Sequence, residues 1–163
     1  RDPEVVVEAL NQYFDIATRN IQEHGGYVDK FIGDAVMGVF GVPIASDAHA
    51  QQAVRAALAM QKEFAEVARQ TGNELVARVG IGINSGYVVS GNIGSQDKLE
   101  YTVIGDTVNV ASRLNSLAGA GETVISRPVL ELVGGRLNVQ PLPRQQVKGK
   151  SEPIEVYKLL DSS

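Results

Sequence analysis

The sequence predicts an α+β domain, a mixed and mainly antiparallel sheet with helices packed on one face. Three observations carry that prediction. Apolar stripes of helical period alternate with short apolar runs rich in β-branched residues. Several runs come in pairs joined by tight-turn residues, which makes hairpins between helices rather than a doubly wound parallel sheet. No repeat, low-complexity stretch or linker divides the 163 residues, which at 44% hydrophobic suffice for one core and are too few for two ordinary domains.

The elements follow in order. Asp2 is placed to cap a helix, with Pro3 at its first position and Glu4 at the positive end of its dipole. Val6, Leu10, Tyr13, Phe14, Ala17 and Ile21 form its apolar stripe, and Gly25-Gly26 end it. Tyr27–Ile32 and Ala35–Val42 read as strands joined at Gly33-Asp34 into a hairpin. Pro43 closes the second strand, and Ser46 or Asp47 is expected to cap a long helix with the stripe Val54, Leu58, Phe64 and Val67, ending near Thr71-Gly72-Asn73. Leu75–Ile83 and Tyr87–Val89 read as strands around an Asn84-Ser85-Gly86 turn, and the polar, Gly-containing stretch Gly91–Lys98 as a mobile loop. Leu99–Ile104 is a strand running through Gly105-Asp106 into a third helix over Thr107–Leu117. A strand at Thr123–Ser126, a small helix from Pro128, and strands at Leu137–Leu142 and Ile154–Leu160 complete the chain.

Composition excludes several classes of function. A net charge of −4 with 21% charged residues argues against a binder of nucleic-acid backbone, which needs a basic stripe. The absence of cysteine removes disulfides, thiolate nucleophiles and Cys-ligated zinc, and fits a reducing compartment. No apolar run approaches the roughly 20 residues that span a bilayer, so no membrane contact is expected of this segment. The chain opens on Arg1-Asp2-Pro3-Glu4 and goes directly into a helix, with no signal peptide, which reads as part of something longer.

Two places stand out chemically. At the first hairpin, Asp34 beside Gly33 can reach a divalent cation unobstructed, and Mg²⁺ usually takes only one or two protein carboxylates. The ordinary alternative is a turn Asp. Lys30 shares the face of Ile32 and Asp34 on an alternating strand, and could equally form an ion pair across the turn. In the third helix, Asn109, Arg113 and Ser116 fall in one polar arc, opposite Val110, Ala111, Leu114 and Leu117. An Asn and an Arg one turn apart near a helix start can meet an anion, or can simply be a solvated face. Val147-Lys148-Gly149-Lys150 is a basic turn that reads as a solubilising loop as readily as a phosphate contact. Gly91-Asn92-Ile93-Gly94 is no Walker loop, and neither a Gly-x-Ser-x-Gly elbow nor a His-Glu-x-x-His helix occurs. His24 and His49 lie in unrelated contexts.

Together these stretches resemble the class III nucleotidyl cyclases, the catalytic domains of adenylyl and guanylyl cyclases. The resemblance rests on His24–Asp34 (HGGYVDKFIGD), Val79–Gly86 (VGIGINSG), Tyr101–Arg113 (YTVIGDTVNVASR) and Val147–Lys150 (VKGK), in family order over nearly the whole chain. It implies a ferredoxin-like βαββαβ core and an intramolecular reaction, in which the ribose 3′-oxygen of ATP attacks the α-phosphorus and pyrophosphate leaves. On that resemblance Asp34 is a ligand of two divalent metal ions (Mg²⁺ or Mn²⁺), Asn109 orients the ribose, Arg113 stabilises charge at the α-phosphate and Lys148 meets the terminal phosphates.

Base choice resembles the adenylyl branch, with Lys30 donating to adenine N1 and Thr102 accepting from the exocyclic amino group. Guanylyl members usually carry Glu and Cys at these places, because guanine presents the opposite pattern. Thr102, where many adenylyl cyclases have Asp, resembles the subclass that responds to bicarbonate. The family forms head-to-tail dimers with sites at the interface, one protomer giving the metal carboxylates and the other the base-reading, Asn and Arg groups. Both sets occur here, so the expected assembly is a cytoplasmic homodimer below an upstream sensory domain, in a parent protein that could be membrane-anchored. The family's first strand, which supplies the other metal aspartate, has no counterpart ahead of the opening helix. Residues 1–163 thus read as an N-terminally incomplete catalytic domain, poorly active as it stands. The alternative reading is a cyclase-homology domain serving dimerisation or nucleotide sensing.

Overall fold

The computed structural model describes residues 2–95, 98–135 and 137–160. Its elements are α1 (Pro3–Glu23), β1 (Tyr27–Ile32), β2 (Ala35–Val39), α2 (His49–Thr71), a 3-10 helix (Glu74–Arg78), β3 (Ile81–Ile83), β4 (Val89–Ser95), β5 (Lys98–Ile104), α3 (Asp106–Leu117), β6 (Thr123–Ser126), α4 (Arg127–Val133), β7 (Val139–Pro141) and β8 (Val156–Leu159). Among the described residues β3, β6, β8 and β7 form a four-stranded sheet in that order, parallel between β3 and β6 and antiparallel elsewhere. β1–β2 and β4–β5 are separate antiparallel hairpins. The mixed α+β class is as the sequence predicts.

Local chemistry explains most boundaries. Asp2 caps α1, its Oδ1 accepting from the Glu4 N–H at 2.9 Å. The first hairpin turns at Gly33, whose φ of 62° suits glycine. Gly72, at φ 73°, ends α2 in the left-handed conformation.

α1, α2 and α4 lie on one side of the four-stranded sheet. Ile16, Ile21, Met60 and Phe64 form a core that takes in Val28, Val36 and Ile81. Val54 of α2 and Val129 of α4 pack with Ile125, Ile83 and Leu159. α3 is the exception. Val110 and Leu114 pack on Val124, the strand neighbour of Ile125 and therefore on the opposite face. With helices on both faces, all four residues of β6 are buried.

The structure corrects several expected elements. Val6 is exposed, and Ala9 and Ile16 take the buried positions on α1. Only Ile81–Ile83 of the expected strand Leu75–Ile83 pairs as a strand, because the Asn73 side chain accepts from the Leu75 N–H at 3.2 Å and starts a 3-10 turn. Ser46 does not cap α2; its Oγ accepts from Ala48 N at 3.2 Å in the preceding turn, and the cap position, Ala48, has no side-chain bond. Tyr87 is fully exposed, and the strand begins at Val89. Gly91–Ser95, read as loop, pairs residue by residue with Thr102–Lys98 of β5. The loop expectation at Gln96 and Asp97 lies outside the described residues.

α1 and α2 are clamped by a polar cluster. Arg19 Nη2 donates to Glu63 Oε2, and the buried Asn20 gives Nδ2 to Glu63 Oε1 at 3.1 Å and to Ile16 O at 2.9 Å. The hydrogen bond from Arg19 holds the Glu63 carboxyl below its ordinary range, against the opposing cost of burial. A depressed folded-state pKa stabilises the fold above the ordinary value of 4.5, and the contribution disappears as pH falls through the folded value. Glu63→Gln should therefore lower stability by about 0.5–1 kcal/mol near neutrality. Thermal melts across pH should show the gap closing on acidification; a gap independent of pH would overturn this.

Candidate active site

The base of β1 carries the first cluster. The register shifts between Val28, opposite Gly38, and Lys30, opposite Met37, so Asp29 is the extra residue of a β-bulge. In a regular strand Asp29 and Lys30 would point to opposite faces. The bulge re-aims them, and Lys30 Nζ sits 3.5 Å from Asp29 Oδ2. Thr102, on β5, donates its Oγ1 hydrogen to the same Oδ2 at 2.8 Å. Two hairpins remote in sequence thus bring a lysine and a hydroxyl onto one fully buried carboxylate, while Lys30 stays 36% exposed. Lys30 forms its ion pair with Asp29 and not across the turn with Asp34.

Asp34 is exposed at the tip of the β1–β2 hairpin and has no hydrogen bond or ion pair among the described residues. It borders a hollow of about 310 Å³ with Tyr13 of α1, Arg78, Gly80 and Asn115. Burial raises the pKa of the Tyr13 phenol, a hydrogen bond to the Val36 backbone partly offsets this, and the charge of Asp34 raises it further. The described residues assemble no group of three or more His, Asp or Glu side chains able to hold a metal ion.

α3 supplies the third group. Val110 and Leu114 are buried, while Asn109, Arg113 and Ser116 are exposed, as the polar arc predicts. Arg113 makes no ion pair among the described residues. The helix start has no side-chain cap at Gly105, and the Val108 and Asn109 N–H groups both donate to Gly105 O, at 3.1 and 3.2 Å. Its position is set by β3, where Ile81 and Ile83 face α1 and α2 while Gly80 and Gly82 face α3. A Cβ on Gly82 would lie 2.2 Å from Asn115 N and 2.7 Å from Ala111 O. Side chains lock this approach, Asn84 Nδ2 donating to Thr107 O at 3.0 Å and Asn115 Nδ2 to Gly80 O at 2.8 Å.

The basic turn joins the same helix. Val147 is buried with Val110 and Leu114, and Lys150 Nζ pairs with Asp106 Oδ2 at 2.8 Å. Lys148, between them, is exposed. The structure therefore joins Lys30 and Thr102 through Asp29, and ties the Val147–Lys150 turn to α3 through Val147 and Lys150; no hydrogen bond or ion pair among the described residues joins Lys148 to Asn109 or Arg113. No hydrogen bond or ion pair joins Asp34 to either group. Sequence reasoning missed Asp29, Tyr13 and the Lys150–Asp106 pair. Only Asp29 left a signal, since two consecutive charges in an otherwise apolar strand break its alternation.

Comparisons with known proteins agree with one another. The family described as "Adenylate and Guanylate cyclase catalytic domain" matches residues 1–161. Adenylate cyclase 1 of Rhizobium meliloti (strain 1021) is 34% identical over 164 residues, covering 98% of this chain; the chain spans 25% of that relative's length. The crystal structure of the adenylyl cyclase CyaB from P. aeruginosa matches with a TM-score of 0.86 at 35% identity, over 100% of this chain and 86% of that one. The crystal structure of the guanylyl cyclase Cya2 matches with a TM-score of 0.85 at 36% identity, over 98% of this chain and 82% of that one.

Because α3 lies on the glycine face of β3, Gly82→Ala should lower stability by about 1–3 kcal/mol. Gly135→Ala, where nothing lies within 4 Å, should be close to neutral. Equal melting temperatures for the two variants would show that α3 yields freely.

Proposed function

The chain belongs to the family of adenylate and guanylate cyclase catalytic domains, and on that premise we propose that it is the catalytic part of an adenylate cyclase, converting ATP to 3′,5′-cyclic AMP and pyrophosphate. Family likeness does not choose the base, since an adenylyl and a guanylyl cyclase match at 35% and 36% identity. The observation that carries the choice is the convergence of Lys30 and Thr102 on Asp29. A cationic donor beside a hydroxyl suits adenine, whose N1 accepts and whose exocyclic amino group donates. Guanine presents the reverse, and a mismatched base leaves groups unpaired at about 1–3 kcal/mol each.

In the reaction the ribose 3′-oxygen bonds to the α-phosphorus, the bridging oxygen leaves with pyrophosphate, and the hydroxyl proton is released. Asn109 orients the ribose, and Arg113, one turn further along α3, meets the charge developing on the α-phosphate. Lys148 neutralises the terminal phosphates from its turn beside the start of α3. Two divalent ions (Mg²⁺ or Mn²⁺) supply charge neutralisation and lower the proton affinity of the 3′-hydroxyl when bound.

Asp34, exposed and without a hydrogen bond or ion pair among the described residues, fits one metal ligand. A pair of ions needs a second carboxylate, which this reading assigns to a strand preceding α1. The support is that β2 and β3 are edge strands of their sheets, and that the hollow lined by Asp34, Ala35, Val79 and Gly80 lies at their ends. The base-reading, Asn and Arg groups occur in the same chain as the metal ligand, which supports a head-to-tail homodimer with two equivalent sites. No helix among the described residues is long and apolar enough to cross a membrane. A cytoplasmic catalytic segment under an upstream sensory domain follows from this reading, as does a bicarbonate response through the Thr102 subclass.

With natural upstream residues present and Mg²⁺ or Mn²⁺ supplied, ATP should be turned over in preference to GTP. Comparable use of both would overturn the base assignment, and no turnover of either would favour a dimerisation or sensing module. Arg113→Ala should cut kcat by about 10²–10³ with little change in KM; a pure KM effect would place Arg113 in ground-state binding. A flat bicarbonate dose response at constant pH would remove that regulator.

A further inference from the structure

Asp29 has no part in the roles assigned above, yet its placement is costly. Its side chain is fully buried, and Oδ1 has no hydrogen-bond partner among the described residues. A buried carboxylate with one oxygen unsatisfied is expensive, and an apolar residue of similar size would serve packing better. The chain also breaks the β1 ladder with a bulge to bring Asp29 to this position. Both costs are incurred where Lys30 and Thr102 meet.

We infer that Asp29 is the positioning residue that sets nucleotide-base specificity, by fixing the Thr102 hydroxyl as an acceptor toward the base and holding Lys30 beside it. This rests on the adenine reading of Lys30 and Thr102 and deepens it. A free threonine hydroxyl has one hydrogen and two lone pairs, so it can donate to a 6-oxo purine as readily as it accepts from a 6-amino purine. It cannot discriminate alone. A carboxylate only accepts, and the 2.8 Å contact commits the Thr102 hydrogen to Asp29 Oδ2. What remains for a ligand is oxygen lone pairs, which attract an amino group and repel a carbonyl. The same Oδ2, 3.5 Å from Lys30 Nζ, keeps the cationic donor next to that acceptor. The base is thus read by a donor and an acceptor of fixed order.

The test compares kcat/KM for ATP and GTP in the full protein with its upstream residues. Asp29→Asn keeps the shape but can donate an N–H as well as accept, so the Thr102 hydrogen is no longer committed inward. The ATP-over-GTP ratio should fall by about tenfold or more, in line with the loss of one correctly paired group. In a Thr102→Val background the same Asp29→Asn change should shift the ratio far less, since only the Lys30 contact is then left to lose. Equal losses for both nucleotides would reduce Asp29 to a structural role and overturn the proposal, as would an equal shift in the ratio with and without the Thr102 hydroxyl. Where Asp29→Asn does not fold, Asp29→Ser, a two-way partner, should give the same loss of preference, and an unaltered preference would refute the proposal equally. Failure of the adenine reading looks different: Lys30→Ala and Thr102→Val would then themselves leave the ratio unchanged, and both inferences would fall together.

Discussion

The contact between the backbone of α3 and the glycine face of β3 governs the arrangement of the rest. Strand residues alternate between faces, so Ile81-Gly82-Ile83 gives one apolar face to α1 and α2 and one bare face to α3. Only a residue without Cβ lets the Ala111 carbonyl and the Asn115 amide come so close. The approach is then held by Asn84 and Asn115, which bond backbone atoms across the contact. With the helix fixed, the exposed positions of Asn109 and Arg113 and the start of α3, where Lys150 pairs with Asp106, are fixed as well.

A different economy operates at the other cluster. The α3 contact is stabilised by close packing, whereas Asp29 is buried at a net cost and makes sense through what it does to its neighbours. It joins β1 to β5, and hence the first hairpin to the strand that leads into α3. The Lys30–Thr102 cluster and α3 are therefore parts of one connected unit, since β5 passes directly through Gly105 into α3. Asp34, at the far end of the hairpin, belongs with α1 and Tyr13 instead. In the head-to-tail dimer proposed above, that separation would let a chain give Asp34 to one site and Lys30 with Thr102 to the other.

Much of this was readable from residues alone. The period of α1 and α2, the Gly33 turn, the Gly72 stop and the polar arc of α3 are local properties, settled within a few residues by propensity, capping and alternation. The errors arose where local preference lost to long-range pairing. Gly91–Ser95 has the composition of a loop, but β5 supplies a complete ladder for it to join. Leu75–Arg78 has the composition of a strand, but the Asn73 side chain claims the first amide and turns the chain.

The sequence by itself determined the family, the identity of the chemical groups and the helix face that carries Asn109 and Arg113, because each depends on residue type and short spacing. The tertiary structure decided which of those groups meet. Lys30 and Thr102 are joined by a buried Asp29 that spacing could not connect, since their contact depends on a bulge in one strand and the docking of another hairpin. It also decided that Asp34 stands apart from them. Proximity between distant segments is set by how strands pair and helices pack, and neither is written in any local stretch of the chain.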